Sequence, residues 1–462
     1  MARRTTKKKD LTPEEKLAQA LVPVAEWPYE VPENWCCISL AGATTRIKRG
    51  KAPKYTQESK TLVFAQKCNQ KDGAISMEKA KFLSAEMLPK ISEDEFLQDK
   101  DIVINSTGTG TLGRVGLFRV EYAHPYKKVL PDSHITVVRP SCFTISEYLF
   151  LFLKSKKDYL ETKGVGTTNQ KELRPDSIEE LVFPLPPLPE QHRIVARTES
   201  LFAKLDEAKE KAQAVVDGFE ERKAAILHKA FTGELTKKWR EEKGISKDSW
   251  TTDSLGRFGT LERGRSKHRP RNDPSLFNGP YPFIQTGDVA SSGRYVTSHK
   301  QSLSEKGLLQ SRMFPKGTLC ITIAANIGNT SILSYDCCFP DNVVGFTPNA
   351  GVLSEYIYYL FNTIQQELEA NAPATAQKNI NLKVLNGTVV TVPKTEEQQE
   401  IVRILDSLLE KQQQAKSSAE QVLDQIDTMK KAILARAFRG ELGTNDPAEE
   451  SAVELVKSVL EH

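Results

Sequence analysis

Between residues 190 and 235, side chains of one kind recur every seven positions. Ile194, Leu201, Ala208, Val215 and Arg222 share one heptad position, and Thr198, Leu205, Ala212, Phe219 and Ile226 share another. The spacing returns 207 residues later as Ile401, Leu408, Ala415, Val422 and Met429, with Leu405, Gln412, Ala419, Ile426 and Ile433. A seam held for about four to five heptads predicts two long helices that pair as a coiled coil. Pro189 and Glu190 suit a first helical turn, and Gly233 and Gly440 suit a stop. Roughly 46 residues at about 1.5 Å each give about 69 Å, so each helix needs a partner along its length, and its own copy can supply it. Outside these segments, apolar runs at 101–104, 114–118 and 134–138 alternate with Gly, Pro and Asn turns, and a helix is expected from near Ser146.

The helices belong to a longer internal repeat. Glu190-Gln191-His192-Arg193-Ile194-Val195 matches Glu397-Gln398-Gln399-Glu400-Ile401-Val402, and residues 225–235 match 432–442 at the same offset of 207. Towards the N-terminus the offset drifts, as insertions in loops would make it: Glu147-Tyr148 matches Glu355-Tyr356 at 208, Pro131-Asp132 matches Pro340-Asp341 at 209, and Phe64 with Gln66 matches Phe283 with Gln285 at 219. The expected fold is α+β: two mixed α/β domains in tandem repeat, separated by two long helices that pair as a coiled coil. The expected segments are a tail with a short capped helix (1–30), a first variable domain (31–188), a helical spacer (189–243), a second variable domain (244–393), a second spacer (394–443) and a C-terminal tail (444–462). Because a tandem repeat behaves as a covalent dimer, the two variable domains would face one partner.

Composition narrows the class. A chain of 462 residues suggests roughly three domains. Its longest apolar runs fall short of the about 18 residues that a membrane span requires, and no apolar segment follows the basic N-terminus, so a cytoplasmic location is expected. Seven cysteines without a Cys-x-x-Cys fit neither a disulfide framework nor a zinc knuckle. With 64 Lys+Arg against 60 Asp+Glu, an argument for nucleic acid must rest on where the charges lie.

They cluster at one place in each variable domain. Arg46, Lys48, Arg49, Lys51, Lys54 and Lys60 face only Glu58 in sequence, and Arg257, Arg263, Arg265, Lys267, Arg269 and Arg271 face only Glu262. Two basic runs at equivalent positions point to phosphate contact. Gln66, Gln170, Lys171, Gln285, Gln377, Lys378 and Asn379 are further candidates, the amides because they match the donor and acceptor pattern of adenine. Gly108-Thr109-Gly110-Thr111-Leu112-Gly113 spells a dinucleotide fingerprint, but residues 114–120 read as a strand where that fingerprint requires a helix, and the matching 324–328 keeps only the last glycine. A strand-loop-strand is expected instead, presenting Asn105, Ser106, Thr107, Thr109, Arg114, Asn326 and Asn329 to a partner. Seven scattered histidines show no metal spacing and read as structural, and no catalytic motif is present.

Pro32-x-x-Trp35, the loop 105–113, Gln170-Lys171 ahead of Pro-Leu-Pro-Pro-Leu-Pro-Glu-Gln, and Ala-Phe-x-Gly-Glu-Leu closing each helix resemble the specificity subunit of type I restriction-modification enzymes over residues 31–442. The resemblance implies two target recognition domains that read a split, asymmetric site on double-stranded DNA, and a spacer in which the two long helices form an antiparallel coiled coil, pseudo-two-fold symmetric, whose length sets the gap between half-sites. It further implies a phage-defence complex in which two methyltransferase subunits modify adenine N6 with S-adenosylmethionine, and motor-nuclease subunits use ATP and Mg2+, this chain binding no cofactor or metal itself. Two alternatives compete: a coiled-coil scaffold that binds proteins only, and a nucleotide-binding enzyme using the loop 108–113.

Overall fold

The computed structural model describes residues 12–166, 171–266, 273–324, 327–370 and 380–460. They form two compact units, one from residues 1–211 and 422–462 and one from 212–421, so the unit boundaries fall inside both long helices.

In the first unit, strands Thr44–Arg49, Ile135–Pro140, Ile102–Asn105 and Val115–Leu117 lie side by side in that order, each antiparallel to its neighbour. A second sheet orders Tyr55–Thr56, Lys81–Leu83, Thr61–Phe64 and Lys128–Pro131, the last two running parallel. Helix Ser146–Ser155 buries Tyr148, Leu149 and Phe152 against Phe183, Ile194 and Phe438. The Phe438 ring lies 5.4 Å from that of Tyr148 and 5.3 Å from that of Phe152, so the end of the second long helix forms part of this core.

The second unit repeats the plan. Strands Gly259–Arg263, Val343–Pro348, Leu319–Thr322, Thr330–Leu333 and Tyr295–Val296 form one sheet, and Gln301–Leu303, Phe277–Phe283, Cys337–Cys338 and Met313–Phe314 the other. Tyr356 of helix Ser354–Ala370 packs on Phe231 at 5.4 Å and shares a core with Ile401 and Leu405.

The repeated Glu-Gln pair has a structural cause. Gln191 donates to the carbonyls of Phe143 and Pro186 and accepts from the amide of Ile145, and Gln398 does the same with Gly351, Pro393 and Leu353. Each glutamine ties the start of a long helix to the loop ahead of its unit's buried helix. The helices end as expected: Gly233 and Gly440, just past Phe231 and Ala437, take φ of +80° and +73°, which glycine adopts without a Cβ penalty.

The helical segments pair antiparallel within each unit. Lys430 Nζ reaches Asp206 at 2.6 Å in the first, and Arg222 Nε reaches Gln412 Oε1 at 2.9 Å in the second. Ile194, Leu201, Leu205, Val215, Phe219, Ile226, Ile401, Leu405, Leu408, Ile426 and Ile433 are buried or half-buried, as a seam requires. Val422 departs from expectation: it is 41% exposed, Met429 is 45% exposed, and the inward stripe is carried instead by Ala419, Leu423, Ile426, Lys430 and Ala437. A straight α-helix drifts about 20° per heptad against a strict seven-residue repeat, so over 43 unbroken residues the seam walks sideways. The first helix differs, being divided at Gly218 into Leu188–Asp217 and Phe219–Phe231, where the Arg222 guanidinium folds back onto the Val215 carbonyl.

Candidate nucleic-acid interface

Five backbone hydrogen bonds define the same frame at one end of each unit. In the first, Gly50 N donates to Ile135 O, Ser106 N to His134 O, Leu173 N to Ser106 O, Asn105 N to Arg114 O and Gly113 N to Asn105 O, at 2.8–2.9 Å. In the second, the counterparts are Gly264 to Val343, Ile323 to Asn342, Ile380 to Ile323, Thr322 to Asn329 and Gly328 to Thr322, at 2.8–3.1 Å. This frame corrects one step of the sequence alignment: the offset at the Pro131-Asp132 loop is 208, not 209, which sets His134 opposite Asn342. Gly113 and Gly328 occupy equivalent corners with φ of +73° and +78°, a conformation that strains any residue with a Cβ.

The glycine loop is the turn of an antiparallel hairpin, Ile102 pairing with Leu117 and Ile104 with Val115. No helix follows it to hold a pyrophosphate, which removes the basis for the nucleotide-binding alternative. The second hairpin is two residues shorter between the equivalent bonds and keeps only the last glycine.

Around this frame the structure gathers some of the expected side chains and diverts others. Gln66 donates from Nε2 to the Thr107 carbonyl at 2.8 Å and also to the Thr107 hydroxyl, which in turn meets His134 Nδ1 at 2.8 Å. Lys48, Lys171 and Thr109 are exposed nearby. Asn105 is a correction: fully buried, it accepts from Asn69 Nδ2 at 3.2 Å and donates to the Gln66 carbonyl, so it supports the hairpin from behind. Arg49 is likewise engaged, bonding Glu172 at 2.5 Å, Leu173 O at 2.8 Å and Ser106 O at 3.4 Å, which pins the 171–173 segment to the hairpin. Arg114 turns back on the carbonyls of Gly110 and Asn69.

The two basic runs differ in their balance. In the first unit the fold brings in acids that sequence separation hid: Asp94 meets Arg46 at 3.1 Å, Glu95 meets Lys51 at 2.7 Å, and Glu86 lies 3.9 Å from Lys54. In the second, Glu262 is taken by Arg312 at 2.6 Å, and Arg263 and Arg265 stay exposed with no carboxylate partner among the described residues. Gln285 Nε2 donates to Gln301 Oε1 at 2.7 Å, and Asn329 lies at the hairpin end. Gln170, Lys267, Arg269, Arg271, Asn326, Gln377, Lys378 and Asn379 lie outside the described residues.

The remaining chemistry is quiet. All seven cysteines are free thiols, and burial pushes those of Cys36, Cys37 and Cys337 up to about 12, far from a nucleophilic thiolate at neutral pH. Among the described residues no group of His, Cys, Asp or Glu has the arrangement to hold a metal, and no helix is long and apolar enough to cross a membrane.

The family model of the type I restriction modification DNA specificity domain matches residues 47–216 and again 247–423. The chain belongs to the type I restriction-modification specificity family. It is similar to the EcoKI specificity subunit of Escherichia coli K12, with 23% identity over 91% of this chain and 92% of that protein. The StySPI specificity subunit of Salmonella potsdam is 22% identical over the same shares of both chains. In fold it resembles the crystal structure of the HsdS subunit from Thermoanaerobacter tengcongensis, with a TM-score of 0.66 over 90% of this chain and 100% of that one, at 18% identity. As a member of this family the chain supplies DNA sequence specificity, and each of its two units contains one target recognition domain. His134, which has no metal partner or helical stripe to mark it in the sequence, acquires its neighbours only when the hairpin folds against the Pro131-Asp132 loop.

Proposed function

We propose that each unit reads one half of a bipartite, asymmetric site on double-stranded DNA, and that the chain carries two adenine-N6 methyltransferase subunits and the motor-nuclease subunits to that site. One observation carries this reading: the two units share a backbone frame and differ in the side chains mounted on it, with Gln66, Thr107 and His134 in one and Gln285, Asn329 and Asn342 in the other. Equal frames with unequal polar edges suit two half-sites of different sequence.

In this reading the chain catalyses nothing. S-adenosylmethionine belongs to the methyltransferase subunits, which take an adenine out of the stack to reach N6, and ATP with Mg2+ belongs to the motor-nuclease. The assembly works in the cytoplasm of a prokaryote as a defence against phage. The test is to co-express the chain with its methyltransferase subunits in a methylation-free host and map modified adenines across the genome. A split motif with one modified adenine in each half is expected; a stable complex that modifies no defined motif would sink the reading.

A further inference from the structure

Gln66, Thr107 and His134 form a hydrogen-bonded relay. The Gln66 amide nitrogen is identified by its bond to the Thr107 carbonyl at 2.8 Å, because a carbonyl only accepts. That same nitrogen also donates to the Thr107 hydroxyl, which keeps its own hydrogen to give. His134 Nδ1, 2.8 Å away, receives it in the tautomer that carries the ring hydrogen at Nε2. A neutral imidazole that accepts at Nδ1 carries its hydrogen at Nε2, and a protonated one carries a hydrogen at both nitrogens. In either state the far edge of the ring is a donor. The ring is exposed, while its backbone is anchored: His134 N donates to Asp132 Oδ1 at 2.9 Å and His134 O accepts from Ser106 N at 2.8 Å.

We infer that His134 is a specificity-determining residue of the first unit, held by Thr107 in the Nε2–H tautomer and presenting that N–H to an acceptor on a base edge, the N7 or O6 of a purine in the major groove. The inference rests on the reading that the unit recognises DNA. A phosphate contact would need no control of the donor's direction, whereas a base edge rewards one. The second unit carries Asn342 at the same place in the frame, so the equivalent position there has different hydrogen-bonding chemistry.

The test uses the full chain co-expressed with its methyltransferase subunits, comparing genome-wide adenine methylation for wild type, His134→Ala and Thr107→Val. Copurification with the methyltransferase subunits and the melting temperature report folding. For His134→Ala, one base pair in one half of the motif is expected to lose its preference by about tenfold or more, with the other half unchanged. Thr107→Val leaves the ring but frees its tautomer and is expected to relax the same base pair more weakly, which keeps the inference testable if the alanine variant folds poorly. An unchanged motif in His134→Ala, or weaker methylation at every site with the motif intact, overturns the role of His134. Failure of the wild type to modify a motif overturns the DNA-reading proposal instead.

Discussion

The indole N–H of Trp35 donates to Oε2 of Glu190 at 2.7 Å, joining the residue just ahead of strand Cys36–Ser39 to the first turn of the first unit's long helix. Trp250 and Glu397 make the same bond at 2.8 Å in the second unit. The remaining partners differ. Glu397 also takes the Thr236 hydroxyl and the Arg240 guanidinium, whereas Glu190 takes the Thr444 hydroxyl and the Asn445 amide, with no guanidinium among the described residues bonded to it.

Removing Arg240 should therefore be severe. Arg240 and Glu397 pair at 2.6 Å with side chains 9% and 1% exposed, so Arg240→Ala leaves a carboxylate buried without its cation, at a cost of about 3–5 kcal/mol. Asn445→Ala withdraws one neutral donor from Glu190 and should cost about 1–3 kcal/mol. Denaturant unfolding of the two variants compares them directly, and a loss below 1 kcal/mol for Arg240→Ala would contradict this account.

The exposed arginines of the second unit should act through charge. Replacing both Arg263 and Arg265 with Ala is expected to reduce the log-log salt slope of duplex binding by about two units, close to one per phosphate contact. Arg49→Ala should leave that slope nearly unchanged and instead loosen the 171–173 segment, seen as faster amide hydrogen exchange there. A salt slope that falls equally in both variants would refute the distinction.

Asp132 offers a pH signature. Burial raises its carboxyl pKa above the ordinary value, and the amide of His134 only partly offsets this. A carboxylic acid with a higher pKa folded than unfolded costs stability once it ionises, so the penalty is present above the folded pKa and disappears as pH falls below the unfolded one. Asp132→Asn keeps an acceptor for His134 N and should raise the melting temperature at neutral pH, with the gain shrinking towards acid. A gain that is the same at pH 7 and at pH 3 would rule this out.

The break at Gly218 is a local choice of sequence. The second helix has Gln425 and Met429 where the first has Gly218 and Arg222, and it runs unbroken through them. A Cβ at residue 218 would come within 2.4 Å of Arg222 Nη1, the movable end of a long side chain. Gly218→Ala alone should change stability little, and combined with Arg222→Met it should gain about 0.5–1 kcal/mol. Thermal melts of the single and double variants test this, with a destabilised double variant as the contrary result.

Much of this architecture was legible in the sequence because its signals are local. Glycine stops and the capping box in which Thr12 and Glu15 bond each other's backbone both depend on neighbours a few residues apart. The site was less legible because its determinants are distant. Arg46 and Lys51 looked unopposed until the fold brought Asp94 and Glu95 beside them, and Asn105 looked like a loop residue until Asn69 covered it. Val422 was misplaced for a geometric reason, since a heptad count carries no information about how far a straight helix has rotated.

The donors to Glu190 from Thr444 and Asn445, and the packing of Phe438 on Tyr148, bear on the order in which the protein is made. Synthesis runs from the N-terminus, and domains fold as units once their segments are available. The second unit has all its residues once position 421 has emerged, while the first still lacks residues 422–462. The module begun first is thus completed last, and a ribosome that stops at residue 421 releases a chain whose downstream reader is whole and whose upstream reader has an open core.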